Sequence, residues 1–413
     1  SGLVLTSRPV DVALLARLDP DAVQMRTVFR ESGAVRGRFQ ARIGGLPRGG
    51  AFMDRLEAGQ LAGQLRYSGA AEALWRLSGV EIFDLTGPVG VKADITGTIS
   101  APVLRGAVSS TGLRVQSTLT GTDVRDVAMS GTFTDSSLQI ARFSGLTPNG
   151  GRVSGSGTIG LAELSEHGPT IDLRLSAQNA QVINRDDMGA TVTGPLRVVS
   201  NGVGGTIAGR VRIEQARWVL GQAAAVTELP TIATREINAP ADAAPPRVAA
   251  TPWNFMIDAA GMNRINVRGL GLDSEWGADI RLRGSTAAPQ IFGTADLVRG
   301  GYEFAGKRFE LTRGRIRFAG EVPVDPQLDI VAEGDANNIN AKISITGSGT
   351  KPIIAFSSTP ALPEEELLSR ILFGSSITQI SAPEAVQLAA ALASLRGGGG
   401  LDPINKLRAA IGL

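Results

Sequence analysis

The sequence contains no cysteine and only one histidine, His167. Without cysteine there are no thiol nucleophiles, no disulfides and no thiolate metal ligands. A single histidine excludes a histidine metal cluster and a catalytic base paired with a second histidine. We expect His167 to lie in a turn, and we predict no cofactor, no metal site and no catalytic residue.

Long runs of one residue character are also missing. No stretch reaches the roughly 20 apolar residues that cross a bilayer as a helix, and the start does not resemble a signal peptide. Any membrane anchor is therefore expected upstream of Ser1. Lysine and arginine number 41 against 39 acidic residues, a net charge of +2 without a long basic run, so nucleic acid is not an expected partner.

What the chain does have is glycine and alternation. Glycine, at 52 of 413 residues, is nearly twice as frequent as usual, whereas aromatic residues make up only 5%. Apolar and polar residues alternate, for example at 91–95, 171–175, 280–283 and 341–346. A helix would place residues i and i+2 on opposite sides, so this period of two predicts β-strands.

A short repeat separates some of these strands. Glycine and proline recur with four residues between them at 97–102, 284–289 and 347–352, each followed by aliphatic residues. Proline lacks the N–H that a β-ladder needs, so the repeat marks the bend where one strand ends and the next begins.

Helices are predicted at both ends of the chain. At the C-terminus we predict one helix from Pro363 to Gly374, a second from a Ser381 and Glu384 capping box to Leu395, and a last one after Asp402. Near the start, residues 11–18 and 51–61 are expected to be short helices. The stretch 238–252, rich in proline and alanine, is expected to be a linker or long excursion.

Two glycine motifs suggest phosphate binding but lack the required setting. Residues 155–160 match the dinucleotide pattern, yet no lasting helix follows them. Residues 301–308 resemble a phosphate-binding loop, yet Arg308 stands where a hydroxyl must hold magnesium. We interpret the first as strand and the second as a β-hairpin, and the enzyme hypothesis finds no support.

A chain with many strands and no catalytic motif fits three architectures: a membrane barrel, a stack of sandwiches, or an elongated open sheet. A barrel needs aromatic girdles and ends on a strand, whereas this chain has few aromatics and a helical tail. Glycine-rich repeats without linkers before residue 238 favour continuous stacking. We therefore predict an all-β fold, a long groove of mostly antiparallel strands with short C-terminal helices.

One resemblance is specific. The C-terminal part is similar to the C-terminal domain of the TamB family, and the resemblance is carried in order by residues 300–302, 316–320, 325–330, 343–347, 352–353, 358–360 and 362–374. It is strong over 253–413, weaker over 61–237 and slight before that. The expected divisions are a mixed part at 1–60, a glycine-rich groove at 61–237, the linker at 238–252, a second groove at 253–360 and a helical tail at 361–413.

The resemblance implies a U-shaped sheet, the β-taco, whose concave face is apolar. It implies a non-enzymatic periplasmic bridge that is anchored in the inner membrane and carries phospholipid to the outer membrane, with a BamA-like barrel of the TamA type as partner. The alternative it leaves is a chaperone-like factor for assembly of outer-membrane barrel or autotransporter proteins. A passive spacer with a closed, dry core is a third hypothesis.

Two sets of residues are the expected sites. The parity of the strands places six candidates on the lipid-bearing face: Ile280, Leu282, Ile316, Phe318, Ile343 and Ile345. Apolar crowding in the first tail helix suggests docking to the partner barrel through Leu367, Leu368, Ile371, Leu372 and Phe373. The competing interpretation is that the tail helices plug the end of the groove and protect its last strand.

Overall fold

The computed structural model describes residues 10–75, 83–117, 120–161, 168–220, 253–269, 271–304, 306–336 and 339–396. These residues form twenty β-strands and four short α-helices, so the predicted all-β fold class is confirmed. The chain divides into two compact units. Unit 1 comprises 1–185, 191–210 and 250–253, and unit 2 comprises 186–190, 211–249 and 254–413.

Unit 1 is an antiparallel sheet with two short helices. Strands β1 to β4 pair in order, β4 pairs with β6, and β6 to β11 continue in order, while the short β5 pairs with β7. The elements are β1 Val10–Asp19, β2 Ala22–Glu31, β3 Ala34–Gly44, α1 Phe52–Ala58, β4 Gln60–Ala70, α2 Ala71–Trp75, β5 Asp84–Thr86, β6 Pro88–Gly97, β7 Pro102–Gln116, β8 Asp123–Thr134, β9 Ser137–Leu146, β10 Arg152–Gly160 and β11 Thr170–Asn184. Strands β12, Met188–Asn201, and β13, Gly205–Val219, contribute residues to both units.

Unit 2 contains seven further strands, each paired antiparallel with its neighbour in the chain. Two helices follow the last strand. The elements are β14 Asn254–Gly269, β15 Leu272–Gly284, β16 Pro289–Phe304, β17 Lys307–Ala319, β18 Gln327–Ala336, β19 Ile339–Ser348, β20 Pro352–Thr359, α3 Glu364–Leu372 and α4 Ala382–Arg396. Among the helices in the described ranges, none is long and apolar enough to cross a bilayer.

The glycine-to-proline repeat closes three hairpins in the same way. In each, the glycine faces the proline across the strand pair: Gly97 and Pro102, Gly284 and Pro289, Gly347 and Pro352. The three glycines have φ values of 96°, 75° and 86°, in the left-handed region that side chains other than glycine rarely adopt. The prediction that this repeat marks strand ends is confirmed.

A hydroxyl that the glycine-to-proline spacing did not reveal completes these hairpins. Oγ1 of Thr98 accepts a hydrogen bond from the backbone N–H of Ala101, and Oγ of Ser285 accepts one from Ala288. In the third hairpin Oγ of Ser348 accepts one from Lys351. Each hydroxyl satisfies a turn N–H that no strand pairs, which is the usual role of serine and threonine in turns. The sequence contained this signal, because a Ser or Thr directly follows each of the three glycines.

We expect Gly284→Ala to destabilise unit 2 by about 1–3 kcal/mol, because an added Cβ would clash with the carbonyl oxygen of Ala288 at a positive φ. Thermal unfolding followed by circular dichroism measures this as a lower melting temperature. Gly277→Ala is the matched control on the same strand, since its Cβ would meet only ordinary contacts. Equal melting temperatures for the two variants would contradict this account of the turn.

The helix predicted at 11–18 is wrong, because these residues belong to strand β1 and pair with β2 through the whole strand. Their run of alanine, valine and leucine has no clear period, so local propensity was the only guide, and cross-strand pairing overrides it. The helix predicted at 51–61 is present as α1 over Phe52–Ala58, but Gln60 and Leu61 already belong to strand β4.

The other motif predictions are confirmed where the structure describes them. Residues 155–160 lie within β10, and residues 301–308 span the hairpin between β16 and β17. Helices α3 and α4 lie where the tail pattern places them, and Glu384 accepts hydrogen bonds from the N–H and hydroxyl of Ser381. His167, the linker at 238–252 and the helix after Asp402 fall outside the described residues.

Candidate functional site

All six residues predicted to bear lipid lie on one face of the unit 2 sheet, which we call the apolar face of unit 2. Ile280 lies opposite Gly293, and Gly293 opposite Phe318 on the next strand. Residues that pair directly across an antiparallel ladder project to the same side, and i, i+2 neighbours share that side. The strand pairings and the alternation within each strand therefore place Leu282, Ile316, Ile343 and Ile345 on the same face.

Rows of apolar residues cross this face from strand to strand. Ile345 lies between Ile330 and Ile354, and Ile343 lies between Ala332 and Phe356. A third row joins Ala278, Ala295, Ile316 and Leu328. Such rows bring aliphatic side chains into lateral contact, so the surface is apolar across several strands.

The apolar face is only partly covered. Ile280, Leu282, Ile316 and Phe318 are half-buried, which is typical of a sheet face without a second layer packed on it. By contrast, Ile343 is 3% exposed and Phe309 is 0% exposed. The six candidates therefore share one face but fall into an open part and a covered part.

The opposite face of unit 2 is charged. Arg315 forms an ion pair with Asp296 at 2.6 Å, and Arg313 forms one with Asp329 at 2.9 Å. Farther along, Lys342 lies 3.4 Å from Glu333. These groups are solvated, so each pair contributes little to stability. Their hydrogen bonds still have an effect: the one from Arg315 to Asp296 raises the pKa of the Arg315 guanidinium.

Unit 1 has its own apolar face, built in the same manner. One row joins Tyr67, Val91, Val108, Gly131 and Ile140 across five strands. The row beside it, which is half-buried apart from Ala93, contains Leu65, Ala93, Gly106, Phe133, Leu138, Ile159 and Ile171. The side chains of both rows are mostly aliphatic or aromatic, so this face of unit 1 is apolar.

Polar residues occupy the other side of the unit 1 sheet. Arg66 pairs with Asp94 at 2.8 Å and Arg197 with Asp172 at 2.9 Å. Hydrogen bonds from Arg197 hold the pKa of Asp172 below its usual range. In each unit the sheet therefore has one apolar and one charged side.

Helices α3 and α4 cover part of the apolar face of unit 2. Leu367, Ile371 and Ala391 belong to one core cluster with Phe304, Phe309, Leu311, Ala341 and Ile343 of the sheet. Of the predicted docking residues, Leu367, Leu368 and Ile371 are 0% exposed, whereas Leu372 and Phe373 are half-buried. Docking through the first three requires α3 to leave the sheet, and the docking role stays a prediction.

Polar contacts join α3 to the sheet and to the loop that follows it. The Lys307 ammonium on β17 donates a hydrogen bond to the carbonyl oxygen of Arg370 at 2.9 Å, near the helix C-terminus where the dipole favours a cation. Burial lowers the pKa of Lys307. Glu366 accepts hydrogen bonds from the N–H of Ile377 and the hydroxyl of Ser376, and the first of these contributes most to its lowered pKa.

The sequence interpretation missed Lys307, because a lysine next to a hairpin turn looks like an ordinary solvated charge.

Within the ranges the structure describes, no three acidic or histidine side chains gather as a metal site. A hollow of about 620 Å³ lies at the charged face and is lined largely by polar groups, including Glu275, Arg299 and Glu310.

A family model described as the TamB C-terminal domain matches residues 141–413, roughly two thirds of the chain. The match begins in β9 and includes all of unit 2 from β14 to α4. It thus contains both the open part of the unit 2 face and the helices that cover the rest.

Proposed function

This chain belongs to the TamB family, and on that basis we propose that the apolar face of each unit carries phospholipid acyl chains between the inner and outer membranes. The family is an envelope-associated, non-enzymatic component of the translocation and assembly module. Transport of lipid is the specific role we assign to this chain, with no catalytic step.

The observation that carries the proposal is the half-buried apolar face. Side chains such as Ile316, Phe318 and Leu138 remain partly open on a sheet whose other side is charged. A sheet that served only as a spacer would bury its apolar side in a dry core. An open apolar side beside a solvated polar one is what an acyl chain can occupy while its headgroup remains in water.

The energetic reason is the hydrophobic effect. Exposing a lipid with about 30 methylene groups to water costs on the order of 20 kcal/mol, at roughly 0.8 kcal/mol per methylene. A continuous row of aliphatic side chains lowers that cost without forming or breaking any bond. Transport along such a face needs no cofactor and no catalytic residue.

We further propose the cellular setting that this role requires. The chain works in the periplasm, belongs to a protein anchored in the inner membrane, and meets a BamA-like barrel of the TamA type at the outer membrane. Family membership supports association with the membrane assembly machinery in general.

The test is purification of the chain without detergent, followed by lipid extraction and mass spectrometry. We expect phospholipid to copurify in a molar ratio of at least one per chain. The control is a variant with one charged residue on the open part of the apolar face of unit 2, expressed in the same host strain and purified in parallel. Lipid-free protein that takes up no phospholipid from vesicles would refute the conduit.

A second candidate function is protein assembly, and the edge of unit 2 favours it. Strand β20 pairs with β19, and no other strand of the described chain pairs with its free edge. Free edges accept an added strand through main-chain hydrogen bonds. If assembly is the role, an unfolded barrel protein should bind the chain and protect the amides of β20 from hydrogen exchange, whereas phospholipid should not.

A further inference from the structure

Helix α3 occupies the same surface that the proposed lipid would use. Leu367 and Ile371 pack into the cluster that contains Phe309, Leu311 and Ile343, all on the apolar face of unit 2. These leucine and isoleucine side chains present methyl and methylene groups to the sheet, the same groups that an acyl chain presents. Helix and lipid therefore cannot occupy this part of the face together.

The covered part has a clear limit along the strands. Phe309 is fully buried beneath the helices, whereas Phe318, nine residues farther along β17, is half-buried and outside the core cluster. Nine residues of strand span on the order of 30 Å. One end of β17 is thus closed by the tail while the other end is open.

A hydrogen bond and a short connection join the helix to the sheet. Lys307 connects β17 to the end of α3, and four residues, 360–363, connect β20 to its start. The contacts of Glu366 lie within the tail itself, with Arg370, Ser376 and Ile377. Helix α3 and the loop after it can therefore move off the sheet as one body without breaking their internal hydrogen bonds.

We propose that α3 is a gate that occupies an acyl-chain site on β17 to β20, so that phospholipid binds there only when the helix has moved away. The inference rests on the proposed lipid function and adds a closed state to it. In the closed state lipid reaches the row of Ile280 and Phe318 but not the row of Ile343 and Phe356.

Two phenylalanines on the apolar face allow a matched test. Photoreactive benzoylphenylalanine replaces Phe356, next to Ile343, or Phe318, in the open part. Full-length chain is mixed with phosphatidylethanolamine and phosphatidylglycerol vesicles that contain a fluorescent phosphatidylethanolamine, and is then irradiated. Because the chain has no cysteine, Lys307→Cys with Arg370→Cys can be joined by a short, reducible thiosulfonate linker that keeps α3 closed.

We expect the linker to lower lipid labelling at Phe356 at least five-fold, to change labelling at Phe318 less than two-fold, and to be reversed by reduction. Labelling at Phe356 that the linker leaves unchanged would overturn the gate while supporting lipid binding. Loss at both positions would also overturn it, because the linker would then act on the whole unit. Labelling at neither position in any state would refute the lipid function and the gate with it.

A second variant opens the gate without a linker. Lys307→Met keeps the apolar stem and removes the hydrogen bond to the Arg370 carbonyl, so labelling at Phe356 should rise at least three-fold while circular dichroism is unchanged. Lys351→Met, on the exposed turn before β20, is the control and should leave labelling as it was. An equal response to both substitutions would contradict the role of Lys307.

Discussion

Replacing Phe318 by aspartate should lower the phospholipid bound to unit 2 at least ten-fold. Phe318 is half-buried on the open part of the apolar face, in one row with Ile280 and Gly293. A carboxylate there must lose water when an acyl chain arrives, which costs several kcal/mol, and about 1.4 kcal/mol corresponds to ten-fold in affinity. Photolabelling or extraction of lipid after equilibration with vesicles measures the loss.

The adjacent residue gives the matched control. Ala319 is exposed on the charged face of the same strand, so Ala319→Asp introduces the same group one position away. We expect it to retain at least half of the bound lipid. If both substitutions reduce lipid equally, the site is not confined to one face. Ile343→Asp is less informative, because Ile343 lies beneath α3 and the charge would disrupt folding as well.

A large loss of stability is expected from Ile371→Ala in α3. Ile371 is 0% exposed within the core cluster, and truncation of a buried isoleucine leaves a cavity that costs about 2–5 kcal/mol. Hydrogen exchange followed by mass spectrometry should show faster exchange in α3 and in β18 to β20, with unit 1 unchanged. Melting of the C-terminal part should also occur at a lower temperature.

Ile353→Ala makes the same chemical change at an open position. Ile353 is 64% exposed on the charged face of β20, so its truncation should alter stability by less than about 0.5 kcal/mol. If Ile371→Ala leaves hydrogen exchange unchanged but abolishes crosslinking to a TamA-type barrel, α3 is a docking element rather than a helix that covers the sheet. Faster exchange with crosslinking retained supports the cover.

The side of the sheet on which a residue lies could be predicted from the sequence. Alternation in a strand has a period of two, so Ile343 and Ile345 had to share a face whatever the fold around them. The hairpin ends could also be predicted, because glycine at positive φ and proline without an N–H leave few options. These are local properties, and each was confirmed.

Lateral neighbours could not be predicted in the same way. The pairing of β17 with β18 shifts between Leu311 and Arg313, and that of β15 with β16 shifts between Glu275 and Trp276. A bulge changes every later partner by one residue, and neither bulge has a distinctive sequence. The row that joins Ile280 to Phe318 therefore emerged only from the structure.

The burial of α3 was also beyond the sequence. Leu367, Leu368 and Ile371 form a compact apolar group, and the same group would serve for docking to a partner or for packing on the chain itself. Which surface lies opposite depends on tertiary contacts with residues of much earlier strands, such as Lys307 and Ile343. Periodicity carries no information about such contacts.

The order of strands in unit 2 has a consequence for how the protein is made. Each strand from β15 to β20 pairs with the one just before it, so contacting residues are close in sequence and contact order is low. No long loop has to close before the sheet can grow. The unit can consequently assemble hairpin by hairpin from its N-terminal side as the chain emerges. Insertion or loss of a whole hairpin would change its length while every remaining side chain kept its side of the sheet.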